Sequence, residues 1–484
     1  METKISRNLF LLFGLLLAIL FSCEKETHVQ SNEIESNQSL VSDRQEIVQS
    51  LVSEELEIAK IINSHNKSNQ SKIVKNIDSK YIKHRSDLSE KSGKTVVEVY
   101  PTGEVPIDEI NIQHVTDSLG LLGVDATIIL KSRNLNMQRT AFKFSDEIVQ
   151  GGGFPANVRI LGASMGQGGN ISYIGENTGN FKTTINGALR NEIVSGVNQS
   201  IAFYIEDRPS VSFENINFKN GAAIKSIHGG LGSILVENCF FDNILQNPIS
   251  LVGVNNSIEI TNNEFIRYGG YIFLVNNPAN TLVDNNIIKA NLNYTPATGS
   301  GGGLFFVDQS GIISNNEIST NGRRTSLLLG PFNNNYKVDV INNNLYGEQA
   351  VIDLLIFDEQ GSLFIDNNQI RINNDSTTFL SRQALWFKFG ENAYGHDIVI
   401  SNNHIKGTGG KGISINRWTG TSSISGVTVA CNNFSGFKSV CSFDICYDIS
   451  FSSETSDFFF CGKGLIGDFG VNNVVLNECP FNCE

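Results

Sequence analysis

Between roughly residues 200 and 435, hydrophobic residues alternate with polar ones in runs of four or five, and few windows sustain a helical stripe. A short phrase recurs in this stretch: an aliphatic residue, a spacer, Asn-Asn, a spacer, then Phe, Ile or Leu. Clear copies are Ile260-Thr261-Asn262-Asn263-Glu264-Phe265, Val283-Asp284-Asn285-Asn286-Ile287-Ile288, Ile313-Ser314-Asn315-Asn316-Glu317-Ile318, Ile365-Asp366-Asn367-Asn368-Gln369-Ile370 and Ile400-Ser401-Asn402-Asn403-His404-Ile405. Looser copies place Asn215, Asn238, Asn343 and Cys431 at the first Asn position, so the steps are 23, 24, 23, 30, 28, 24, 35 and 29 residues. Each copy predicts a strand, a tight corner and a second strand, with the alternating aliphatic face turned to a core.

A period just above twenty with occasional insertions predicts a stacked solenoid. Asn tolerates the left-handed backbone of a sharp corner, and its amide can bond to the equivalent Asn one coil away. The predicted ladder is therefore Asn238, Asn262, Asn285, Asn315, Asn343, Asn367 and Asn402, in strands stacked about 4.8 Å apart. The 45 Gly and 9 Pro also fit strands and corners better than helical repeats. On these phrases the chain resembles the right-handed parallel β-helix proteins of the pectin-lyase-like superfamily, over roughly residues 96–435. The resemblance implies an all-β fold, a right-handed parallel β-helix solenoid. It says little about activity, because the Asn corner holds a coil together and carries no chemistry.

The flanks read differently. Val96–Tyr100 and Thr127–Lys131 read as strands. Between them Ile110, Ile112, Val115 and Leu119 share one face of a short helix that stops at Gly120. A capping helix here, within 96–145, would cover the open edge of a β-helix spanning 146–435. The end, 436–484, gathers Cys441, Cys446, Cys461, Cys479 and Cys483, with Cys431 just upstream. Three disulfides of unassigned pairing are expected to close it, in preference to a metal site on the spacings Cys441-x4-Cys446 and Cys479-x3-Cys483. Cys239 reads as an isolated, packed thiol.

Residues 1–22 resemble a bacterial lipoprotein signal peptide. Lys4 and Arg7 precede the apolar run Leu9–Phe21, and Leu20-Phe21-Ser22-Cys23 is a lipobox, so Cys23 is the expected site of lipidation. The run is short for a membrane span. Glu24 in place of aspartate favours the outer membrane, reached through the lipid anchor and probed at the cell surface, with the periplasmic face as the alternative. Residues 23–95 then form a tether with one amphipathic helix that opens at Ser42 and carries Val48, Leu51, Val52, Leu56, Ile58, Ile61 and Ile62.

A net charge of −13 argues against nucleic acid as a partner but leaves room for a local basic groove. The sheet preceding each Asn phrase reads as triplets whose outward residues include Ser250, Phe273, Phe305, Leu328, Asp353, Trp386, Lys388, Ser414 and Asn416. In this apolar row Phe273, Phe305 and Trp386 are expected to stack on sugar rings, with Tyr394 and Trp418 from two lengthened loops beside them. The candidate catalytic group is Lys388, His396, Arg417 and Asp353, a base, cations and a carboxylate suited to an acidic sugar. Glycosidases need two carboxylates at a set separation, and Asp353 and Asp358 lie far apart on opposite strand faces. Calcium would be required only by a lyase, and no converging acidic cluster appears on the outward row; no cofactor or metal is otherwise expected. Three functions follow: a surface glycan-binding or adhesion lipoprotein first, then a polysaccharide lyase or glycoside hydrolase acting on an acidic glycan, then a structural envelope lipoprotein with a protein partner.

Overall fold

The computed structural model describes residues 81–104, 107–132, 142–143, 169–178, 181–187, 201–205, 208–221, 223–226, 230–244, 247–290, 302–320, 325–330, 336–348, 350–356, 361–372, 383–389, 397–407, 411–417, 426–437, 449–451, 459–468, 472–480 and 483. Cys23 and the amphipathic stretch from Ser42 lie outside these residues.

Alternation in the sequence becomes three long, almost wholly parallel sheets, of 15, 11 and 11 strands. One coil shows the plan. Ser257–Thr261 lies in the first sheet, Glu264–Tyr268 in the second and Ile272–Val275 in the third, and the next coil returns at Asn280–Asp284. Each of these strands pairs in parallel with its equivalent one coil on, so equivalent positions stack on one another. The architecture is an all-β parallel β-helix.

The core is this stacking seen from inside. In the second sheet the inward position runs Phe218, Phe241, Phe265, Ile288, Ile318, Leu345, Ile370 and Ile405 in unbroken register. The first three rings stack face to face, with centroids 4.7 and 4.6 Å apart. Each such side chain is removed from water, worth about 1.5–3 kcal/mol apiece, and repetition makes one continuous core.

The Asn phrase divides its labour between its two asparagines. The first takes the left-handed backbone at every corner, with φ between 51° and 59° at Asn215, Asn238, Asn262, Asn285, Asn315, Asn342, Asn367 and Asn402, and 56° at Cys431. The buried ladder is built by the second. Asn263, Asn286, Asn316, Asn343, Asn368, Asn403 and Asn432 each present Oδ1 to the backbone N–H of the preceding coil's ladder residue, at 2.8–3.0 Å. From Asn286 to Asn432 each Nδ2 also donates to a backbone carbonyl of the coil before, for example Asn316 to Val283 O at 2.8 Å.

This corrects the expected ladder. Asn238, Asn262, Asn285, Asn315, Asn367 and Asn402 are corner residues, and Asn343 alone of that set belongs to the buried row. The first position of its phrase is Asn342. Three successive asparagines, 342 to 344, allow two frames, and only backbone handedness separates them. The corner asparagines do make a partial outer row of their own, such as Asn285 Nδ2 to Asn262 Oδ1 at 2.6 Å.

At the N-terminal end, β1 (Ile82–His84) pairs antiparallel with β2 (Thr95–Val99), which pairs in parallel with β3 (Ala126–Leu130). Helix α1 (Ser86–Ser92) links β1 to β2, so both elements fall within the stretch read as a tether. Helix α2 (Ile107–Leu122) crosses from β2 to β3 and buries Ile112, Val115 and Leu119. It runs through Gly120 and stops before Gly123, whose φ of 64° suits glycine at a helix end. Among the buried side chains of its start, the Asp108 carboxylate accepts the N–H groups of Thr102 and Gly103, fixing the entry.

At the other end the parallel strands run on past 435. Phe459–Cys461 and Val474–Leu476 extend the first sheet, and Ile449–Phe451 and Ile466–Asp468 the third, while the second ends at Asn433–Ser435. Disulfides Cys431–Cys483 and Cys461–Cys479 tie these last coils to the regular body. Cys441 and Cys446 lie outside the described residues.

Cys239 is free and buried, in the ladder position one coil before Asn263. Burial pushes its thiol from 9 up to about 12, and burial also raises the phenols of Tyr268 and Tyr336. All three would ionise at lower pH in the unfolded chain, so their contribution is whole below about pH 9 and is lost as pH climbs toward 12. The urea midpoint is therefore expected to hold steady up to about pH 9 and fall above it, with Cys239→Ala softening the fall. A midpoint unchanged well above that pH contradicts this.

Candidate functional site

The three corners of a coil are not alike. From Ser210 onward the link between the first and second sheets is two residues in each coil, as from Thr261 to Glu264 or Ser401 to His404, while the two earlier links, Leu130 to Phe142 and Gly175 to Thr184, are longer. Links entering the third sheet range from two residues (Gly347 to Ala350) to fourteen (Asn186 to Ile201). Links leaving it range from three (Val307 to Gly311) to nine (Arg417 to Val427). From Ser210 onward the variation in link length borders the third sheet, where loops on a rigid scaffold commonly carry function.

Alternation orients that sheet as expected. Ile249 and Leu251, Ile272 and Leu274, Leu385 and Phe387, and Ile413 and Ile415 face the core. The outward row, in register from coil to coil, is Lys225, Ser250, Phe273, Phe305, Leu328, Asp353, Trp386 and Ser414. The open aromatic platform is not what this row forms. Phe273 is 5% exposed and Phe305 8%, and their rings stack on each other at 4.9 Å. Tyr271 packs edge-on against Phe305 at 5.6 Å. An outward apolar row is costly in water, and these rings are buried rather than offered to a ligand. Leu328 and Trp386 keep partial exposure.

Two of the four candidate catalytic residues come together. Lys388 Nζ donates to both carboxylate oxygens of Asp353, at 2.9 and 3.2 Å, and both side chains are buried. The contact is diagonal: Asp353 stands opposite Trp386, and Lys388 lies two residues further along the same outward face. That step also sets the ammonium 3.5 Å from the centroid of the Trp386 ring. An indole face is electron-rich, so the cation is held between a carboxylate and a π-surface. Arg417 stands across from Phe389, one register position beyond the partner of Lys388. His396, Tyr394, Trp418 and Asp358 lie outside the described residues.

This trio defines what the face can do. Asp353 is the one carboxylate among the described outward residues of the third sheet, and both its oxygens are engaged by Lys388. Two-carboxylate hydrolysis therefore finds no pair among them. A half-buried indole over a fixed cation is instead a flat, polarised surface of the kind that receives a sugar ring. The sequence puts Asp353 and Lys388 in one candidate group with Trp386 in the same outward row, and the structure adds the direct ion pair and the cation–ring contact.

Three sulfurs, of Cys431, Cys479 and Cys483, lie within 4.8 Å of one another at the C-terminal end. Each is already in a disulfide, with Cys431 bonded to Cys483 and Cys479 to Cys461, so the cluster serves as a staple.

The fold and this face define a parallel β-helix with a walled outer sheet. No family model matches the sequence, and no curated protein matches it. Among solved structures the chain is similar to a cysteine-to-alanine mutant of DFA-IIIase from Arthrobacter chlorophenolicus A6, in complex with DFA-III. The identity is 10% and the TM-score 0.36, over 78% of this chain and 95% of that one. A likeness so distant transfers no chemistry.

Proposed function

We propose that this protein is an envelope lipoprotein that binds a polysaccharide on the outer face of the third sheet, at Trp386. The observation that supports this reading is the Trp386 indole, partly exposed, with the buried Lys388 ammonium 3.5 Å from its ring centroid. Its place on the sheet that borders the varied links of the regular coils supports it too. In this reading the ring stacks on a sugar, and the Asp353–Lys388 pair stiffens the platform. Cys23, acylated after removal of residues 1–22, anchors the chain in the outer membrane and lets residues 24 onward face the cell surface.

Binding stands ahead of cleavage because Asp353 is already held by a cation. A lyase in which Lys388 and Arg417 stabilise the developing charge is the second reading, favoured by their place on neighbouring strands of this sheet. Calcium enters only under that reading. Trp386→Ala is expected to weaken retention on an immobilised glycan about tenfold, since aromatic stacking contributes about 1–1.5 kcal/mol. Unchanged retention with an intact fold would remove Trp386 from the site.

A further inference from the structure

The outer face of the second sheet carries a feature that the glycan site does not use. Two outward rows run along it in register. One reads Asn344, Gln369, His404 and Asn433, and the other, two residues further along each strand, reads Tyr346, Arg371, Lys406 and Ser435. These eight positions hold two cations, a histidine, three amides, a phenol and a hydroxyl, and no acid. All except Tyr346 and Ser435 are exposed, and those two are partly so.

Elsewhere on the same sheet two cations are compensated by carboxylates. Lys289 pairs with Glu317 at 3.1 Å, and Arg267 pairs with Asp242. Arg371 and Lys406 stand directly opposite each other in adjacent strands, one coil apart. Like charges so placed repel. Neither pairs with a carboxylate among the described residues, and Arg371 instead lies over the Tyr346 ring, 5.9 Å from its centroid. The nearby Asp366 carboxylate accepts from Ser401 and Asn402 at the corner. In a chain of net charge −13, this is a local cationic strip with its own neutral hydrogen-bonding border.

We propose that this strip is a second binding surface, for the carboxylates of an acidic polysaccharide. Arg371 and Lys406 neutralise successive acidic groups along the solenoid axis, and the Asn, Gln and His side chains meet hydroxyl groups. The strip lies on a different sheet from Trp386, so this inference does not depend on the preceding one.

The test uses the full chain in affinity electrophoresis through polygalacturonate, through neutral dextran and through single-stranded DNA. Polygalacturonate should retard the protein, less so as salt rises, and dextran should not retard it through this strip. Arg371→Gln with Lys406→Gln should weaken the polygalacturonate interaction about a hundredfold, on the order of tenfold per charge-assisted contact. The melting temperature should be unchanged, because both side chains are exposed, and Trp386→Ala should leave this interaction intact. Retardation insensitive to the double substitution, or no retardation at all, overturns the proposal. DNA held as tightly as polygalacturonate through the same two residues also overturns it, because the strip would then be a general polyanion surface.

Discussion

Asn343→Leu is expected to destabilise the protein by about 4 kcal/mol, at about 1–3 kcal/mol for each buried polar group left without a partner. Asn342→Gly, one residue earlier, is expected to cost almost nothing. The asymmetry follows from the corner. Asn343 Oδ1 accepts from Asn316 N and Nδ2, and its own Nδ2 donates to Ile313 O and Asn368 Oδ1. Leucine fills the volume but strands donors on one side and acceptors on the other, all in a site 1% exposed. Asn342 is exposed, its Oδ1 accepts only from Asn367 Nδ2 at the surface, and its φ of 59° is one that glycine adopts freely. Urea midpoints for the two variants check this, and equal losses at the two positions would refute the division of labour between them.

Lys388→Met is expected to cost about 3–5 kcal/mol, because it leaves the Asp353 carboxylate buried and unpaired. Asp353→Leu alone should do similar damage by orphaning the ammonium. The double variant should recover much of the loss, since a pair of apolar side chains carries no buried charge. A double-mutant cycle measures the coupling, which should be large and favourable. Single variants that lose nothing, or a double variant that loses the sum, would mean that the pair is not the buried contact that the geometry describes.

Much of the fold was legible from periodicity, because a parallel solenoid writes the same alternation into every coil. The inward triplets such as Ile249-Ser250-Leu251 and Leu385-Trp386-Phe387 could be read residue by residue. The ladder could not be placed within the Asn-Asn pair, since both residues are the same amino acid and only the φ of the first differs. The end of the solenoid was hidden for another reason. Strands Phe459–Cys461 and Val474–Leu476 lack the Asn phrase and are held by disulfides, so nothing periodic marks them.

The site was half legible. Asp353, Trp386 and Lys388 were visible as an outward carboxylate, ring and cation. Asp353 and Lys388 could be grouped from their places in consecutive coils, but the direct contacts among the three depend on side-chain reach across the register, which the sequence does not state. Phe273 and Phe305 misled because outward orientation was equated with exposure. Alternation determines which way a side chain points and not whether water reaches it.

The central claim, glycan binding without cleavage at the third sheet, is tested most directly by a panel of acidic and neutral polysaccharides. The full chain would be incubated with each while retention, unsaturated-product absorbance and new reducing ends are followed together. The account predicts retention on at least one glycan, lost in Trp386→Ala, with no product of either kind. Unsaturated product or new reducing ends would make the protein an enzyme and contradict the claim, and silence in all three measurements would contradict it as well.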